Sequence, residues 1–348
     1  MTRVLVAMSG GVDSSVAAAL LREQGHDVVG VTMKLWGGES DSGCCSVSDV
    51  DDARRVAQQL GIDHHVFNFG DDFEQFVVEP YVADHVAGLT PNPCVECNRH
   101  LKFDKLLRRA DALGFDLVAT GHHARRVEVG GGFRIARGAD AAKDQSYVLY
   151  PVVGDALART LFPLGDMTKD RVRELAAELG LRTATKPDSQ DVCFITRAQG
   201  GRSSFLGDRI PLRTGRVVDV AGEELGEIEG VELVTIGQRR GLDVGGPGGR
   251  RYVVDVDGAS ATVTVGSAND LLRDGLSVGD VVWAGPPAGG ALAVQCSAHG
   301  RALPATVVVD SPDCVTVTWD EPQRRVAPGQ SAVIYDGDVV VGGGIVTR

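Results

Sequence analysis

Short apolar runs alternate with longer amphipathic segments over the first part of the chain, to about residue 200. The runs "RVLVAM", "HDVVGVTM", "HHVFNF" and "FDLVATGHH" predict strands, and residues 14–22 and 49–60 predict helices between them. Residues 168–179 predict a further helix with Thr168 as its N-cap. Apolar strands joined by amphipathic helices are typical of a parallel sheet covered on both faces. The pattern predicts an α/β domain with a doubly wound parallel sheet over residues 1–204.

The pattern changes after residue 204, where short β-branched runs stand between glycine-rich turns. Examples are "GRVVDV", "RYVVDV", "ATVTVG", "ATVVVD" and "CVTVTWD", and Asp336-Gly337 is a strong hairpin turn signal. Such spacing is typical of small all-β domains and barrels. We predict a small β-rich central domain over residues 205–265 and a C-terminal β-barrel over residues 266–348.

The chain has 348 residues, a formal net charge of −12 and seven cysteines. No apolar run reaches the roughly 18 residues of a membrane span, and the N-terminus leads directly into a strand rather than a signal peptide. We therefore expect a cytoplasmic protein without a membrane partner. In a reducing compartment the cysteines should stay reduced, and any special ones should be catalytic or metal-bound. The negative charge, taken alone, argues against a nucleic-acid partner.

A glycine-rich loop, "SGGVDS", stands between the first strand and the first helix. Glycines let backbone N–H groups approach an anion, and a helix N-terminus favours negative charge. The loop lacks the lysine of the G-x-x-x-x-G-K-[ST] motif and is not G-x-G-x-x-G. A tight turn capped by Asp13 or Ser14 would explain two glycines alone. All six residues at this location favour phosphate binding.

Two further segments contain thiols among polar residues. In "GLTPNPCVECNRHLKF", Cys97 stands near the start of a predicted helix and close to Arg99, which should increase its thiolate fraction. "KPDSQDVCFI" contains Cys193 after a polar turn. Structural thiols are the alternative for Cys94, Cys97 and Cys193. A zinc site would need a second C-x-x-C or a histidine pair, which the sequence lacks.

Together these segments resemble the tRNA-specific 2-thiouridylases, a family of the N-type ATP pyrophosphatases. The resemblance extends over almost the whole chain, and its combination of motifs is highly specific. The motifs are "AMSGGVDSSVAA", "GCCS", "DARRVAQQLGI", "TPNPCVECNRHLKF", "ATGHHAR", "KDQSYVLY", "KPDSQDVCFI", "TIGQRRGL" and "APGQSAVIY". The resemblance implies that the α/β domain is an ATP-pyrophosphatase domain and that the barrel contacts tRNA.

The family chemistry implies a tRNA-uridine 2-sulfurtransferase. ATP, with Mg²⁺ on its phosphates, would adenylate the 2-carbonyl oxygen of the wobble uridine and turn it into a leaving group. A cysteine persulfide would then supply sulfur, giving 2-thiouridine, AMP and pyrophosphate. The implied partners are tRNA with a wobble uridine and a persulfide donor or relay protein. We expect the protein to act as a monomer.

The resemblance also implies a role for individual residues. Cys97 matches the family nucleophile and Cys193 the persulfide carrier, and the two would pair in a transient disulfide. The residues matched to ATP binding are Ala7, Met8, Ser9, Gly10, Gly11, Val12, Asp13, Ser14, Met33 and Gly121. The residues matched to tRNA binding are Asn92, Pro93, Cys94, His122, Lys143, Asp144, Gln145 and Gln330.

Two departures from the family pattern change what we expect. Cys94 stands where some members have an aspartate associated with acid–base chemistry, so Cys94 or water would take that role. Cys94, Cys97 and Cys193 would also suit an iron–sulfur cluster with one open iron, which would change the route of sulfur but not the product. In the central domain, Ile228 stands where a histidine is common.

An RNA partner requires positive surface despite the acidic total. Lys102, Lys105, Arg108 and Arg109 fall mostly on one face of a predicted helix that begins beside Cys97. A solvated face with intrahelical ion pairs is the alternative. Two other functions remain open from the residues: an ATP-pyrophosphatase ligase for a small metabolite, and a nucleotide-responsive RNA-binding protein. The first leaves Cys97, Cys193 and the β-rich half unexplained, and the second needs no reactive thiol.

Overall fold

The computed structural model describes residues 1–36, 47–188, 192–195, 200–242 and 250–347. Its helices, numbered in chain order, are α1 (Val12–Glu23), α2 (Val47–Leu60), α3 (Gly70–Phe73), α4 (Glu79–Val86), α5 (Pro93–Glu96), α6 (Leu106–Ala112), α7 (Gly154–Ala158), α8 (Lys169–Glu178) and α9 (Gly201–Gly207). Wider π-helical turns over Glu74–Val78 and Cys97–Lys105 join α3 to α4 and α5 to α6. Short 3₁₀ turns span Ser146–Leu149, Val231–Leu233 and Asn269–Leu271.

The strands of these described ranges form three sheets. They are β1 (Arg3–Ala7), β2 (Asp27–Lys34), β3 (Asp63–Asn68), β4 (Leu117–Thr120), β5 (Ala124–Val129), β6 (Gly132–Arg137), β7 (Thr160–Leu161), β8 (Gly215–Asp219), β9 (Glu224–Ile228), β10 (Tyr252–Asp257), β11 (Thr262–Gly266), β12 (Leu272–Trp283), β13 (Gly290–Gln295), β14 (Leu303–Ser311), β15 (Cys314–Arg324), β16 (Ser331–Asp336) and β17 (Val339–Val346).

The first sheet is parallel, with strand order β3-β2-β1-β4-β7. Side chains of β1 alternate between two cores: Val4 and Val6 pack with α1 and α2 on one face, and Leu5 packs under the helix that contains Leu101 on the other. A strand that buries both faces must be apolar throughout, which is why "RVLVA" lacks polar alternation. The predicted doubly wound α/β fold is confirmed, and Thr168 caps α8 as expected.

The second sheet belongs to the central part of the chain and has strand order β10-β11-β8-β9. Among the described residues, β8 and β11 form a parallel pair, and the other two pairs of this sheet are antiparallel. A small core under this sheet includes Val217, Val253 and Val263. The prediction of a β-rich central region is therefore confirmed.

The third sheet closes into a six-stranded barrel. The strands follow the order β12-β15-β14-β13-β16-β17, and β17 pairs again with β12 to complete the ring. Alternating residues of β15, including Val315 and Val317, fill the interior, while the residues between them are exposed. The turn at Gly337, with φ of +58°, joins β16 to β17 as the Asp-Gly signal predicted.

A hairpin from the first half of the chain extends the barrel sheet. Strands β5 and β6 pair with each other, and β6 joins β17 through Ala136 and Val339. The sequence pattern did not predict this hairpin, because its partner strand lies far along the chain. Ile135 of the hairpin shares a core cluster with Tyr335 and Val340 of the barrel. The α/β unit and the barrel are therefore joined by a common core.

Within the described residues, no helix is both long enough and apolar enough to cross a membrane.

The shared core gives a stability prediction. Ile135 is 2% exposed between hairpin and barrel, so Ile135→Ala should lower the free energy of unfolding by about 2–5 kcal/mol through lost burial and a residual cavity. Urea unfolding followed by circular dichroism measures this change. Val129→Ala, at a 39% exposed position of the same hairpin, is the control and should change the free energy by less than about 0.5 kcal/mol. Equal effects of the two substitutions would contradict the shared core.

Candidate active site

A cavity of about 340 Å³ opens at the carboxyl ends of β1, β2 and β4. Parallel strands collect ligands at this edge because successive βα loops meet there. The cavity is lined by residues from the glycine loop, three strand ends, the helix that contains Cys97, and the segment around Cys193. The lining residues are Ala7, Met8, Ser9, Asp13, Ser14, Thr32, Met33, Leu35, Phe73, Val77, Pro93, Cys94, Cys97, Lys102, Thr120, Gly121, His122, Gln145, Val192, Cys193 and Phe194.

The glycine loop turns sharply between β1 and α1. Gly10 has φ of +73°, and a side chain there would collide with the backbone oxygen of Asp49. The Ser14 hydroxyl accepts a hydrogen bond from the Ser9 backbone N–H at 3.1 Å, which closes the loop. No side-chain hydrogen bond caps α1 at Gly11. The first turn of α1 therefore presents backbone N–H groups and the positive end of the helix dipole, as an anion site requires.

Two side chains beneath the loop, Lys169 and His123, hold Asp13. Lys169 donates to both Asp13 carboxylate oxygens at 2.7 Å, and His123 Nε2 lies 3.2 Å from Oδ1. Burial opposes ionisation of Asp13, but the hydrogen bonds from His123 and Lys169 outweigh it and lower the pKa of the carboxyl group. Lys169, with its side chain only 8% exposed, also contacts Asp188 at 2.8 Å. Asp13 is thus an ionised anchor for the loop.

The segment that leads to Cys193 is tied to the same loop. Lys186 Nζ donates to the Gly10 carbonyl oxygen at 3.0 Å and to Asp49 and Asp52 at 2.5 and 2.8 Å. Burial disfavours the charge on Lys186, but the two carboxylates outweigh it and raise the pKa of the ammonium group. Asp188 accepts from Lys143 at 2.7 Å and from Arg173 at 2.7 Å. Burial again opposes ionisation, yet the hydrogen bonds and charges of Lys143 and Lys169 lower the pKa of Asp188 to about 2.

Gly121 and His122 follow β4 and cover the loop from the other side. A Cβ added to Gly121 would lie 2.7 Å from the Ser14 backbone nitrogen, so only glycine allows this approach. His122 Nδ1 lies 2.7 Å from Thr120 Oγ1. Burial, together with the charges of Lys102 and His123, holds the pKa of His122 well below 6.5. His122 is therefore a neutral imidazole in the cavity wall.

Three thiols reach the cavity from two distant segments. The Asn92 side chain accepts from the Cys94 backbone N–H at 3.1 Å and starts α5 at Pro93. Cys97 is buried at the first position of the π-helical turn, and Cys94 is exposed. Cys193 is half-buried and lines the cavity from the opposite segment. The structure therefore brings the predicted nucleophile and persulfide carrier to one cavity.

Phe194 fixes the Cys193 segment in the apolar core. Its ring meets Phe73 at 5.4 Å and Phe205 at 5.0 Å between centroids, both edge-on. Such aromatic contacts add stabilisation beyond the burial of area. The Cys193 thiol therefore lies between this aromatic cluster and the polar glycine loop.

Some residues matched to the site lie away from the cavity wall. Asp144 is buried and accepts from Arg137 at 2.8 Å and from the Ser146 hydroxyl at 2.7 Å. Lys143 is engaged with Asp188, and Gln330 contacts Thr90. The remaining matched residues off the wall are Gly10, Gly11 and Val12 of the loop backbone, and Asn92. The motif cysteines Cys44 and Cys45 lie outside the described residues.

Several polar residues of the site were not predicted. Lys169 and Asp188 complete the network around Asp13, and Lys102 lines the cavity. Lys169 follows the Thr168 cap and looks like any lysine in the first turn of a surface helix. The polar run "KPDSQD" was the one available signal for Asp188 and Lys186. On the basic helix, Lys105 pairs with Asp72 and Arg108 with Asp104, so much of that predicted RNA-facing strip is neutralised.

The geometry does not fit an iron–sulfur cluster. Across the described ranges, no three His, Cys, Asp or Glu side chains are grouped closely enough to hold a metal ion. The three thiols line one cavity but do not form such a group, and the chemistry proposed below uses them without a cluster.

Comparison with known proteins places the chain in a family. A tRNA-specific 2-thiouridylase MnmA from Chloroflexus aggregans is 48% identical over 358 residues, covering 100% of this chain and 99% of the relative. Another, from Roseiflexus castenholzii, is 45% identical over 373 residues with both chains fully covered. The chain belongs to the tRNA-specific 2-thiouridylase family. The family resemblance that the sequence motifs predict is therefore confirmed.

Family models match three consecutive parts of the chain. They are described as a tRNA methyl transferase HUP domain over residues 2–197, a tRNA methyl transferase PRC-barrel domain over residues 203–267, and an aminomethyltransferase beta-barrel domain over residues 273–346. Solved structures resemble part of the chain more distantly. A 4-thiouridine synthetase in complex with RNA and ATP has a TM-score of 0.36 at 17% identity, covering 56% of this chain and 45% of that chain. NMN synthetase from Francisella tularensis has a TM-score of 0.33 at 19% identity, covering 54% and 66%.

Two histidines with a lowered pKa, the buried His85 and the half-buried His64, give a pH prediction. Burial, with smaller contributions from Arg54 and Arg202, lowers the pKa of His64 and His85 to about 4. The unfolded chain takes up protons on these rings below pH 6.5, whereas the folded chain does so only near pH 4. The free energy of unfolding should therefore fall as the pH is lowered through this window.

Urea unfolding at a series of pH values measures that slope. His85→Gln should make the fall shallower, because one neutral ring no longer has to take up a proton on unfolding. His299→Gln, at an exposed position, is the control and should follow the wild-type curve. A wild-type stability that rises on acidification would contradict the neutral state of these histidines.

Proposed function

We propose that this chain is an ATP-dependent tRNA 2-thiouridylase that exchanges the 2-oxygen of the wobble uridine for sulfur. The observation that carries the proposal is the shared cavity: the glycine loop, Cys97 and Cys193 line the same space. A ligase for a small metabolite needs the loop but neither thiol. A nucleotide-responsive RNA-binding protein needs no thiol beside the nucleotide.

The glycine loop suits the adenylation step. The α1 N-terminus and the Ser9 and Ser14 hydroxyls would hold ATP phosphates, and Met33 would line the adenine pocket. Mg²⁺ would arrive on the phosphates, since its ligands are mostly phosphate oxygens and water. The uridine 2-oxygen attacks the α-phosphorus, the bond to the β-phosphate oxygen breaks, and pyrophosphate leaves. Asp13, held by Lys169, would keep the loop in place during this exchange.

The two thiols suit the sulfur-transfer step. A donor protein would load Cys193 with a terminal sulfur as a persulfide. The Cys97 thiolate attacks the Cys193 Sγ, the persulfide S–S bond breaks, and the terminal sulfur takes the electron pair to C2 of the adenylated uridine. The C2–O bond then breaks and AMP leaves. Cys97 and Cys193 remain as a disulfide, which an external thiol reductant must reduce before the next cycle.

The substrate uridine must leave its base stack to reach this cavity. Pro93, Cys94 and His122 line the cavity, and Asn92 immediately precedes Pro93. A neutral His122 would offer hydrogen bonds without repelling a cationic neighbour. The overall charge of −12 implies that tRNA is held by local cationic positions and that binding weakens as salt is raised. We infer a cytoplasmic enzyme that acts as a monomer.

The thiol roles are tested by thiolation of a wobble-uridine tRNA with ATP, Mg²⁺ and a persulfide source. Cys97→Ser and Cys193→Ser should each abolish 2-thiouridine, measured by mass spectrometry of the nucleosides, because serine cannot form the persulfide or the disulfide. Pyrophosphate release should persist in the first turnover, since the loop is intact. Cys314→Ser, at an exposed barrel position, is the matched control and should retain wild-type activity. Full thiolation by either active-site variant would exclude the proposed mechanism, and no thiolation by wild type would exclude the function.

The close approach of Gly121 to the loop gives a prediction for nucleotide binding. Gly121→Ala would place a Cβ 2.7 Å from the Ser14 nitrogen and 2.8 Å from the Asp13 carbonyl carbon, and backbone must move to relieve it. We expect ATP affinity, measured by titration calorimetry, to fall about tenfold or more. Gly132→Ala, where a Cβ meets nothing within 4 Å, is the control and should bind ATP as wild type does. Unchanged affinity in Gly121→Ala would place the nucleotide elsewhere.

A further inference from the structure

The loop that leads to the catalytic helix is held by the C-terminal barrel. Thr90 donates its backbone N–H to the Pro328 carbonyl oxygen at 2.8 Å, and Gln330 Nε2 donates to the Thr90 carbonyl oxygen at 2.5 Å. The backbone N–H and C=O groups of Thr90 are therefore both hydrogen-bonded to a turn of the barrel, and Gln330 of that turn lies 240 positions away in sequence. Cys94 and Cys97 follow four and seven residues after Thr90.

The barrel turn is itself rigidly placed. Gly329 donates to the Val346 carbonyl oxygen at 2.9 Å, and Val346 donates to the Gln330 carbonyl oxygen at 2.8 Å. Gly329 has φ of +90°, and a Cβ there would lie 2.9 Å from the Thr90 nitrogen. Glycine thus allows the turn to approach the loop closely enough for both hydrogen bonds.

A second contact holds the other end of the same loop. The Tyr147 hydroxyl donates to the Ser331 carbonyl oxygen at 2.8 Å, and the Asn92 side chain also lies against that hydroxyl. Asn92 in turn caps the helix that begins at Pro93. Gln330 therefore holds the loop directly at Thr90, and Ser331 supports the helix cap at Asn92 through Tyr147.

We propose that Gln330 is a positioning residue for sulfur transfer, which sets the location of Cys94 and Cys97 through the backbone of Thr90. This inference rests on the proposed function, and it differs from a direct role for Gln330 in tRNA binding. One N–H of the Gln330 side-chain amide is already bonded to the loop, where it supports the backbone of Thr90. The barrel thereby determines the geometry of the thiols, and a shift of the barrel turn on RNA binding would be passed to them.

The test uses Gln330→Met in the full chain, which keeps the side-chain length, removes the donor and adds no charge. We expect kcat for thiolation to fall about 10- to 100-fold, because misplacement of reacting groups by about 1 Å has effects of that size. The dissociation constant for tRNA should stay within about twofold of wild type. Gln323→Met is the matched control, since the Gln323 amide contacts only its own strand at Glu321 in the described structure.

A second measurement does not depend on enzyme activity. Without RNA or ATP, iodoacetamide labelling of Cys97, followed by peptide mass spectrometry, should be about three- to tenfold faster in Gln330→Met, because the loss of a hydrogen bond makes opening of the buried thiol easier. Gly329→Ala retains the Gln330 amide but pushes on Thr90, so it should reproduce both effects. If Gln330 only contacted RNA, the Gly329→Ala variant would keep the wild-type kcat and the wild-type rate of Cys97 labelling.

The outcomes separate this proposal from the proposed function. If Gln330→Met raises the dissociation constant for tRNA but leaves kcat and the rate of Cys97 labelling unchanged, the positioning role is overturned. Gln330 would then be a direct tRNA contact. Faster Cys97 labelling in both variants, with tRNA affinity retained, would support it. If wild type does not thiolate tRNA at all, the function fails, whereas the labelling comparison still decides whether the barrel turn holds the catalytic loop.

Discussion

The site depends on a buried chain of ion pairs that joins Asp13, Lys169 and Asp188. Lys169 is nearly inaccessible to water, so its charge is tolerated only because a carboxylate meets it on each side. Replacing Asp13 or Asp188 by a neutral residue would leave the buried Lys169 with one carboxylate instead of two, and replacing Lys169 would remove the tie between them. The pairing therefore fixes the distance between the glycine loop and the chain that leads to Cys193. Lys186 adds a second tie, directly to the Gly10 carbonyl oxygen.

In the proposed mechanism, this constraint would keep the nucleotide and the sulfur donor in one cavity. An adenylated uridine would hydrolyse if water reached it before sulfur did, so the sulfur donor would have to be in place when the adenylate forms. Phe194 and its aromatic neighbours make the Cys193 side of the cavity apolar, while α1 makes the opposite side an anion site. The barrel completes the arrangement from outside, since Pro328 and Gln330 are hydrogen-bonded to Thr90 in the loop before Cys94 and Cys97.

Local signals were enough to predict much of the fold and part of the site. Strand β1, the glycine turn and α1 are specified by adjacent residues, and the edge at which β1, β2 and β4 end follows from the parallel topology. The hairpin β5–β6 was missed because its strands are only partly buried and its second strand, β6, pairs with β17 about 200 residues later. Lys169, Asp188 and the Gln330–Thr90 contact were missed for the same reason: each is defined by a partner remote in sequence, and no local pattern distinguishes it from a solvated side chain.

A short bifunctional thiol reagent measures directly whether Cys97 and Cys193 line one cavity with the glycine loop. The protein is treated with the reagent in the presence and absence of ATP, digested, and examined by mass spectrometry for linked peptides. We expect a link between the peptides that contain Cys97 and Cys193, and a lower yield when ATP is present. Absence of that link, or a yield no greater than for links to the distant Cys314, would contradict the shared cavity.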